Sequence, residues 1–297
     1  MSEHFRALQI NEFLQQHLDK KLRPDGRTFT QSRDYLVNSN SIATANGSSI
    51  VKVGRTNVIC GIVVDSICRS SVEKQLKSMQ QNVRPTILKP FAPTITTSVD
   101  QPTLQQLALS LLQVQLKIKQ YATYELRSDS RDGELQENLI LSQQLRQVLL
   151  ESQVFDQSDF CAVENNEQML QYSIEVMVTD LDGNVFDAAL FATLAALRNL
   201  RMPANLDKQF RLRCYPISTS WALFERNNQL ICLADPLLSE QRFCDGFLTL
   251  AIEPGTKNVV LASMNGSTVG LSEQQLSELS QQAIKRAKEM ESKLKNL

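Results

Sequence analysis

Three consecutive runs, SIEVMVT (173–179), DLDGNVFD (180–187) and AALFATLAAL (188–197), constrain this chain more than any other segment. The first reads as a buried strand, the second as a tight acidic turn, and the third as an apolar helix. A strand that turns sharply into a helix presents backbone amides at the helix N-terminus, where an anion sits favourably. Phosphate chemistry at such a turn also needs a cation beside the amides. Here Val185 and Phe186 occupy those positions. The expectation is the geometry of a phosphate site without its charge.

A chain of 297 residues holds one large domain or two modest ones, and 42% apolar residues are enough for a substantial core. The net charge of -1 supplies no bulk attraction to nucleic acid, so any such contact must come from a local patch. No apolar run approaches the roughly 18 residues of a membrane span. The first residues, MSEHFRALQINEF, lack an apolar signal core, so the expected location is inside the cell.

None of the six cysteines (60, 68, 161, 214, 232 and 244) forms a C-x-x-C pair, which argues against a zinc knuckle or a thioredoxin-like site. Cys60 and Cys232 lie in apolar strand-like runs and read as buried reduced thiols. His4 and His17 are the only histidines, and both fall in a segment that reads as a surface helix. A Ser-His-Asp triad or a histidine metal site would have to use one of them.

The periodicity predicts a helix over 3–21, with Phe5, Leu8, Ile10, Phe13 and Leu14 as its apolar stripe. A break follows at RPDGR (23–27). Strands over 48–54 and 56–64 form a hairpin about Gly54-Arg55, and the second reads as buried on both faces. Residues 66–125 contain a proline-bearing surface excursion, although 114–119 alternate like a strand. A helix over 133–151 carries Leu135, Leu139, Leu145, Val148 and Leu149 inward. A strand over 170–179 and a helix over 187–199 follow. Strands are expected near 210–215, 217–225, 229–234, 246–252 and 257–263. A last helix over 272–295 should bury Leu276, Leu279, Ile284 and Ala287. Two hairpin-plus-helix units in tandem make a duplicated α+β fold. The organisation is an N-terminal helix (1–22) and one domain (23–297), whose halves meet near 203/204.

The blocks RPDGR, GSSIVKVGRTNVICGI, TDLDGNVFDAALFATLAAL and GLSEQQLSELSQQAIKRAKE occur in that order. Their order and spacing resemble the RNase PH-like ring subunits of the eukaryotic RNA exosome, over nearly the whole chain except about 66–125. The segment DGN-x-x-DA followed by the apolar helix is similar to the inactive, partner-type subunits. The resemblance implies a duplicated βαβα fold, in two-layer sheets with packed helices, assembled into a hexameric ring. The implied partners are other RNase PH-like subunits, RNA-binding cap proteins, RNA and associated exoribonucleases, without a cofactor or metal. The implied locations are nucleus, nucleolus and cytoplasm.

In active members of that family the turn reads ADGGTR, whose Gly-Thr-Arg binds the attacking phosphate, and an Asp lies five residues before the turn's Asp. Here Asn184, Val185 and Phe186 stand at Gly, Thr and Arg, and Met177 stands at the upstream Asp. Active members also carry arginines on the preceding helix, where this chain has Arg146 alone. A phenyl ring offers a phosphate dianion no charge, and a thioether transfers no proton. The resemblance therefore implies a non-catalytic ring subunit. The alternative is an active phosphorolytic subunit whose site a neighbouring chain completes.

Other readings stay open. Asp180 and Asp182 are a metal pair or, better supported, caps for the turn and helix, a role that also suits Asp187. Arg23 and Arg27 touch RNA or pair with carboxylates inside the fold. Arg127 and Arg131 fall where related subunits place a loop facing the pore, and they are the candidate RNA contacts. Trp221 and Tyr215 read as core rather than as stacking platforms. The basic residues of the last helix, Arg286 among them, read as a solvated face.

Overall fold

A computed structural model describes residues 3–72, 110–119, 131–161, 168–203, 209–226, 229–266 and 270–297. The first sheet has the order β1-β2-β3-β5-β4. Its strands are β1 (Tyr35–Ser39), β2 (Gly47–Val53), β3 (Thr56–Cys68), β4 (Leu112–Ile118) and β5 (Gln168–Asp180). All pairings are antiparallel except β4 with β5. The second sheet, β7-β6-β8-β9, is antiparallel throughout. It contains β6 (Ile217–Arg226), β7 (Gln229–Ala234), β8 (Gly246–Glu253) and β9 (Asn258–Asn265). The helices are α1 (Glu3–Asp19), α2 (Arg131–Glu151), α3 (Val185–Arg198), α4 (Leu238–Phe243) and α5 (Glu273–Lys295).

Helix α3 is the centre of the molecule. Every residue from Val185 to Leu197 is buried, because the helix touches β1, β2, β3 and β5 of the first sheet and β6 of the second. An Ala-rich helix suits this place, since small side chains let a sheet close on its backbone. At Gly47 an added Cβ would lie 2.6 Å from Ala196 O, and Ser49 Oγ donates to Ala192 O at 2.7 Å. On the second sheet, Ser218, Ser220, Ala222 and Phe224 alternate with Thr219, Trp221 and Leu223. Ser220 reaches α3, while Ala222 and Phe224 pack with Leu14 and Leu18 of α1. Trp221 and Leu223 pack under α5 with Leu279 and Ala283.

The hairpin at Gly54-Arg55 forms as expected, with Gly54 at φ 59° in the first loop position. Trp221 is core, as read from sequence. Other expectations are corrected. No strand forms over 210–215. Arg213 pairs there with Asp159 at 2.8 Å, and Phe210 joins an aromatic cluster with Phe155 and Tyr172. Strand β3 buries one face: Val58, Cys60 and Ile62 lie under α3, while Val63 is 39% exposed. In α2, Leu145, Val148 and Leu149 are buried, but Leu135 and Leu139 are 67% and 58% exposed. Asn138, between those two leucines, accepts from Ile118 N of β4 at 3.3 Å, so the helix meets the sheet there while the leucines face away. Phe13 and Leu276 also face outward; in α1 Leu14 and Leu18 are buried, while the side chains of Phe5, Leu8 and Ile10 lie outside the described residues. Strand β1 and the short α4 are not expected from the sequence, because five or six residues carry too little periodicity. Of the excursion, Leu112–Ile118 is strand β4, while 73–109 and 120–130 lie outside the described residues.

The close approach of β2 to α3 predicts that Gly47→Ala overpacks the core. A loss of about 1–3 kcal/mol is expected in urea denaturation of the full chain. Gly270→Ala, which meets nothing within 4 Å, should change stability little.

Candidate functional site

The acidic turn joins β5 to α3, and its backbone is forced by its neighbours. Gly183 has φ 83°, and a Cβ there would lie 2.5 Å from Pro236 O, so only glycine fits. Asn184, the residue before the helix, sits in the left-handed region at φ 53°. The turn is tied to the β2–β3 hairpin through Thr56, whose Oγ1 accepts from Asp182 N at 3.0 Å and donates to Gly183 O at 2.9 Å.

Behind the turn lies a polar network that no sequence pattern announces. Both hydrogens of Asn184 Nδ2 are used: one is donated to Asp187 Oδ2 at 2.8 Å and one to Asp235 Oδ1 at 2.7 Å. Asp235 is gripped by Arg33, whose Nε and Nη2 donate to its two oxygens at 2.9 and 2.8 Å. Arg33 also donates through Nη1 to Asp182 O at 2.9 Å. Ser220 Oγ donates to Asp187 Oδ1 at 3.0 Å. No motif links Arg33, Asn184, Ser220 and Asp235. Their one sequence signal is a charged or polar residue next to an apolar strand or helix, which many surface residues share.

Electrostatics follow from these contacts. Burial pushes the Asp187 carboxyl up to about 6, against the opposing effect of Ser218, Asn184 and Ser220 beside it. Burial acts on Asp235 in the same direction, but the Arg33 guanidinium outweighs it and holds that carboxyl down at about 2. Asp182 is raised by burial, with Arg33 opposing.

The candidates read from the sequence therefore separate. Asp187 is a buried network member, not an exposed helix cap. Asp182 lies 3.8 Å from Arg33 Nη1, Asp180 is exposed, and among the described residues no cluster of three metal-ligating side chains exists. Arg23 is buried in a forked pair with Glu240 at 2.9 and 2.5 Å, and Arg27 binds Asp25 at 2.6 Å and Asp235 at 3.3 Å. Both arginines thus serve the fold. Arg286 is also not part of a solvated face: its guanidinium lies 5.5 Å from the Tyr35 ring centre and donates to Arg33 O. Arg127 lies outside the described residues, and Arg131 opens α2 with its side chain likewise undescribed. Cys60 is a buried thiol pushed up to about 12, while Cys232 is half-buried.

In front of the turn is a cleft of about 470 Å³ between α2, the start of α3, α4 and the β8–β9 pair. Phe186, Val185, Leu181, Ile140 and Phe247 line it, with neutral amides such as Gln136 and Gln241. Among the described residues its one ionisable lining group is Glu137, and no lysine or arginine lines it. Neither Met177, half-buried in β5, nor Arg146, half-buried in α2, lines the cleft. Among the described residues the cleft offers neutral hydrogen bonds, apolar contact and one carboxylate, with no cation to stabilise a phosphate.

The profile of the 3′ exoribonuclease family (RNase PH), domain 1, matches residues 31–203, and that of domain 2 matches 214–286. This chain belongs to the 3′ exoribonuclease (RNase PH) family. The resemblance read from its sequence blocks is borne out. Among its relatives, the exosome complex component rrp43 of Schizosaccharomyces pombe is 24% identical, over 89% of this chain and 87% of that protein. The exosome complex component Rrp42 of Archaeoglobus fulgidus is 27% identical, over 93% and 92%. A solved Archaeoglobus fulgidus exosome with RNA bound to the active site contains a chain that superposes with a TM-score of 0.73. Identity is 22%, with 97% of this chain and 99% of that one covered. The shared RNase PH-like fold is the duplicated α+β architecture described above.

The raised Asp187 carboxyl sets a pH dependence. Its folded value, about 6, lies above the ordinary 3.8, so protonation adds to stability. That contribution is complete below the unfolded value and is lost as pH rises through 6. Asp187→Asn can accept from Asn184 and donate to Ser220, whose hydroxyl then turns to Thr249, 3.0 Å away. Urea titrations between pH 5 and 8 should show parent stability falling by about 1 kcal/mol with rising pH, and a flatter profile for Asp187→Asn.

Proposed function

We propose that this chain is a non-catalytic subunit of an exosome core ring, supporting 3′-to-5′ RNA processing and degradation and helping to line the RNA channel. The observation that carries this reading is the cleft at the acidic turn. An anion in front of the turn would meet Phe186, Val185 and Glu137 and no cation among the described lining residues. Fungal and archaeal relatives that are exosome components support the assembly half of the reading. So do apolar side chains left in solvent: Leu135, Leu139 and Ile140 on α2, and Leu36 on the edge strand β1, are between 52% and 67% exposed. A neighbour is expected to cover such surface and such an edge. The partners on this reading are other RNase PH-like ring subunits, cap proteins, RNA and associated exoribonucleases. The locations are nucleus, nucleolus and cytoplasm. Among the described residues no helix is long and apolar enough to cross a membrane.

The test is phosphorolysis. The purified chain with inorganic phosphate and single-stranded RNA should release no nucleoside diphosphate. Release that Asp182→Asn abolishes would establish an active subunit instead. Co-purification from cells should recover RNase PH-like chains in equal amounts, and a monodisperse monomer without them would overturn the assembly half.

Channel lining is assigned to Arg127 and Arg131. With a net charge of -1 over the whole chain, RNA binding must come from arginines grouped by the assembly. Changing both to Glu should cut RNA crosslinking of the assembled ring several-fold and leave assembly intact. For single strands the log–log salt slope should fall by about 0.7 for each phosphate no longer neutralised. Unchanged crosslinking and slope would remove the two arginines from the channel.

A further inference from the structure

We infer that the open edges of strands β1 and β9 are the two places where this chain joins its ring neighbours, each edge taking an extended strand of an adjacent RNase PH-like subunit. The inference rests on the assembly reading above and adds to it which surfaces pair and by what chemistry. The two sheets have four edges, β1, β4, β7 and β9. An open edge presents unpaired backbone N–H and C=O groups that invite another strand, so folds that stay alone cover or charge their edges.

Two of the four edges are closed by the chain itself. On β4, Leu116 N donates to Ser142 Oγ at 2.8 Å and Ile118 N donates to Asn138 Oδ1 at 3.3 Å, both on α2. On β7, Ala234 N donates to Phe29 O at 2.8 Å, and Ala234 O accepts from Arg23 Nη1 at 2.8 Å. The other two edges have no such cover. Asn40 N donates to Ser48 O, so the alternation of an antiparallel pair turns the backbone groups of Val37 and Ser39 away from β2. In the second sheet Ala234 N points out of the sheet. The same alternation, carried across β6 and β8, turns the backbone groups of Ala262 and Met264 away from β8. Among the described residues no hydrogen bond reaches these outward groups.

Nor do the side chains guard them. Strand β1 reads YLVNS and β9 reads NVVLASMN, with no charge and no proline in either. Those are the residues that ordinarily keep an edge from pairing. Leu36, Val259 and Met264 on the two strands are 67%, 50% and 40% exposed. Pairing of β9 with β8 is regular from Leu261 to Asn265, so the edge there is straight enough to template a strand. The chemistry names the occupant. Outward N–H and C=O groups in alternation are matched by an extended backbone, not by a helix, whose own groups are already paired. Neither strand offers a cation to an RNA phosphate. Each member of a closed ring meets two neighbours through two different patches. This chain has two open edges, one on each sheet, and a subunit of the same fold carries strands in the corresponding places to meet them.

The test removes single outward amides. Ser39→Pro and Ala262→Pro each delete one outward N–H and leave the bonds inside the sheet in place. Ser39→Thr and Ala262→Thr keep the amide. Co-purification of the full chain from cells should recover about tenfold fewer RNase PH-like chains with either proline, and parental amounts with either threonine. In the assembled complex of the parent chain, the amides of Val37, Ser39, Ala262 and Met264 should exchange with deuterium as slowly as those of Leu261 and Ser263, which face β8. A photoreactive amino acid in place of Met264 should crosslink to an RNase PH-like chain. Parental recovery with both prolines, fast exchange at the four outward amides, or a crosslink to a cap protein or a nuclease would each overturn the edges alone. If a proline variant fails to fold, exchange and crosslinking decide. A parent chain that recovers no RNase PH-like chains would overturn the assembly reading itself, and this inference with it.

Discussion

The carboxylate of Asp235 is the point on which the rest of this structure depends. It is 3% exposed and receives the forked guanidinium of Arg33, the Arg33 backbone amide, a hydrogen bond from Arg27 and the side-chain amide of Asn184. Burying a lone carboxylate would raise its pKa, yet this one is held near 2, so the arginine outweighs desolvation. Breaking such a pair by removing one partner strands a buried charge, at about 3–5 kcal/mol. Through this one group the N-terminal arm, the acidic turn and the second sheet are fixed to one another.

What the carboxylate positions is α3. A helix enclosed between two sheets must be apolar on all sides and thin where strands approach, which its alanines and the facing Gly47 provide. Its two buried polar residues are both satisfied. Thr193 donates back to Ala189 O at 2.8 Å, and Asp187 is held by Asn184 and Ser220. The turn in front of α3 is held by contacts inside the fold, through Thr56, Arg33 and Asn184.

Around the cleft at this turn the chain places a phenyl ring, neutral amides and, as the one ionisable group among the described lining residues, Glu137. Three arginines near the turn, Arg23, Arg27 and Arg33, pair with Glu240, Asp25 and Asp235, while Arg55 of the β2–β3 hairpin is exposed and acts on Asp182. Arg23 and Arg33 hold the two halves of the chain together. The surface that departs most from a free-standing protein is the outer part of α2, whose leucines face solvent. The molecule has the features of a part built to be held by neighbours.

Much of this was legible in the sequence. The strand, turn and apolar helix over 173–197 specify themselves locally, by a period-two run, a glycine turn and a helix with almost no polar residue. Phe186 at the turn already carried the loss of charge. The Gly54-Arg55 hairpin and the last helix were equally local. Other features depended on distance along the chain. Arg33 and Asp235 are 202 positions apart, and no periodicity relates them. Arg23 and Arg27 were ambiguous because an arginine beside a turn looks the same whether its partner is RNA or Glu240. Leu135 and Leu139 fitted the inward stripe of α2, yet it is Asn138 between them that meets β4, and the two leucines face solvent. Phe210 to Tyr215 alternated like a strand but had no neighbouring strand to pair with. Local pattern sets which element a segment can form. Which polar groups find one another, and which apolar faces are covered, is decided only when distant segments pack, because those energies belong to the contact and not to either residue alone.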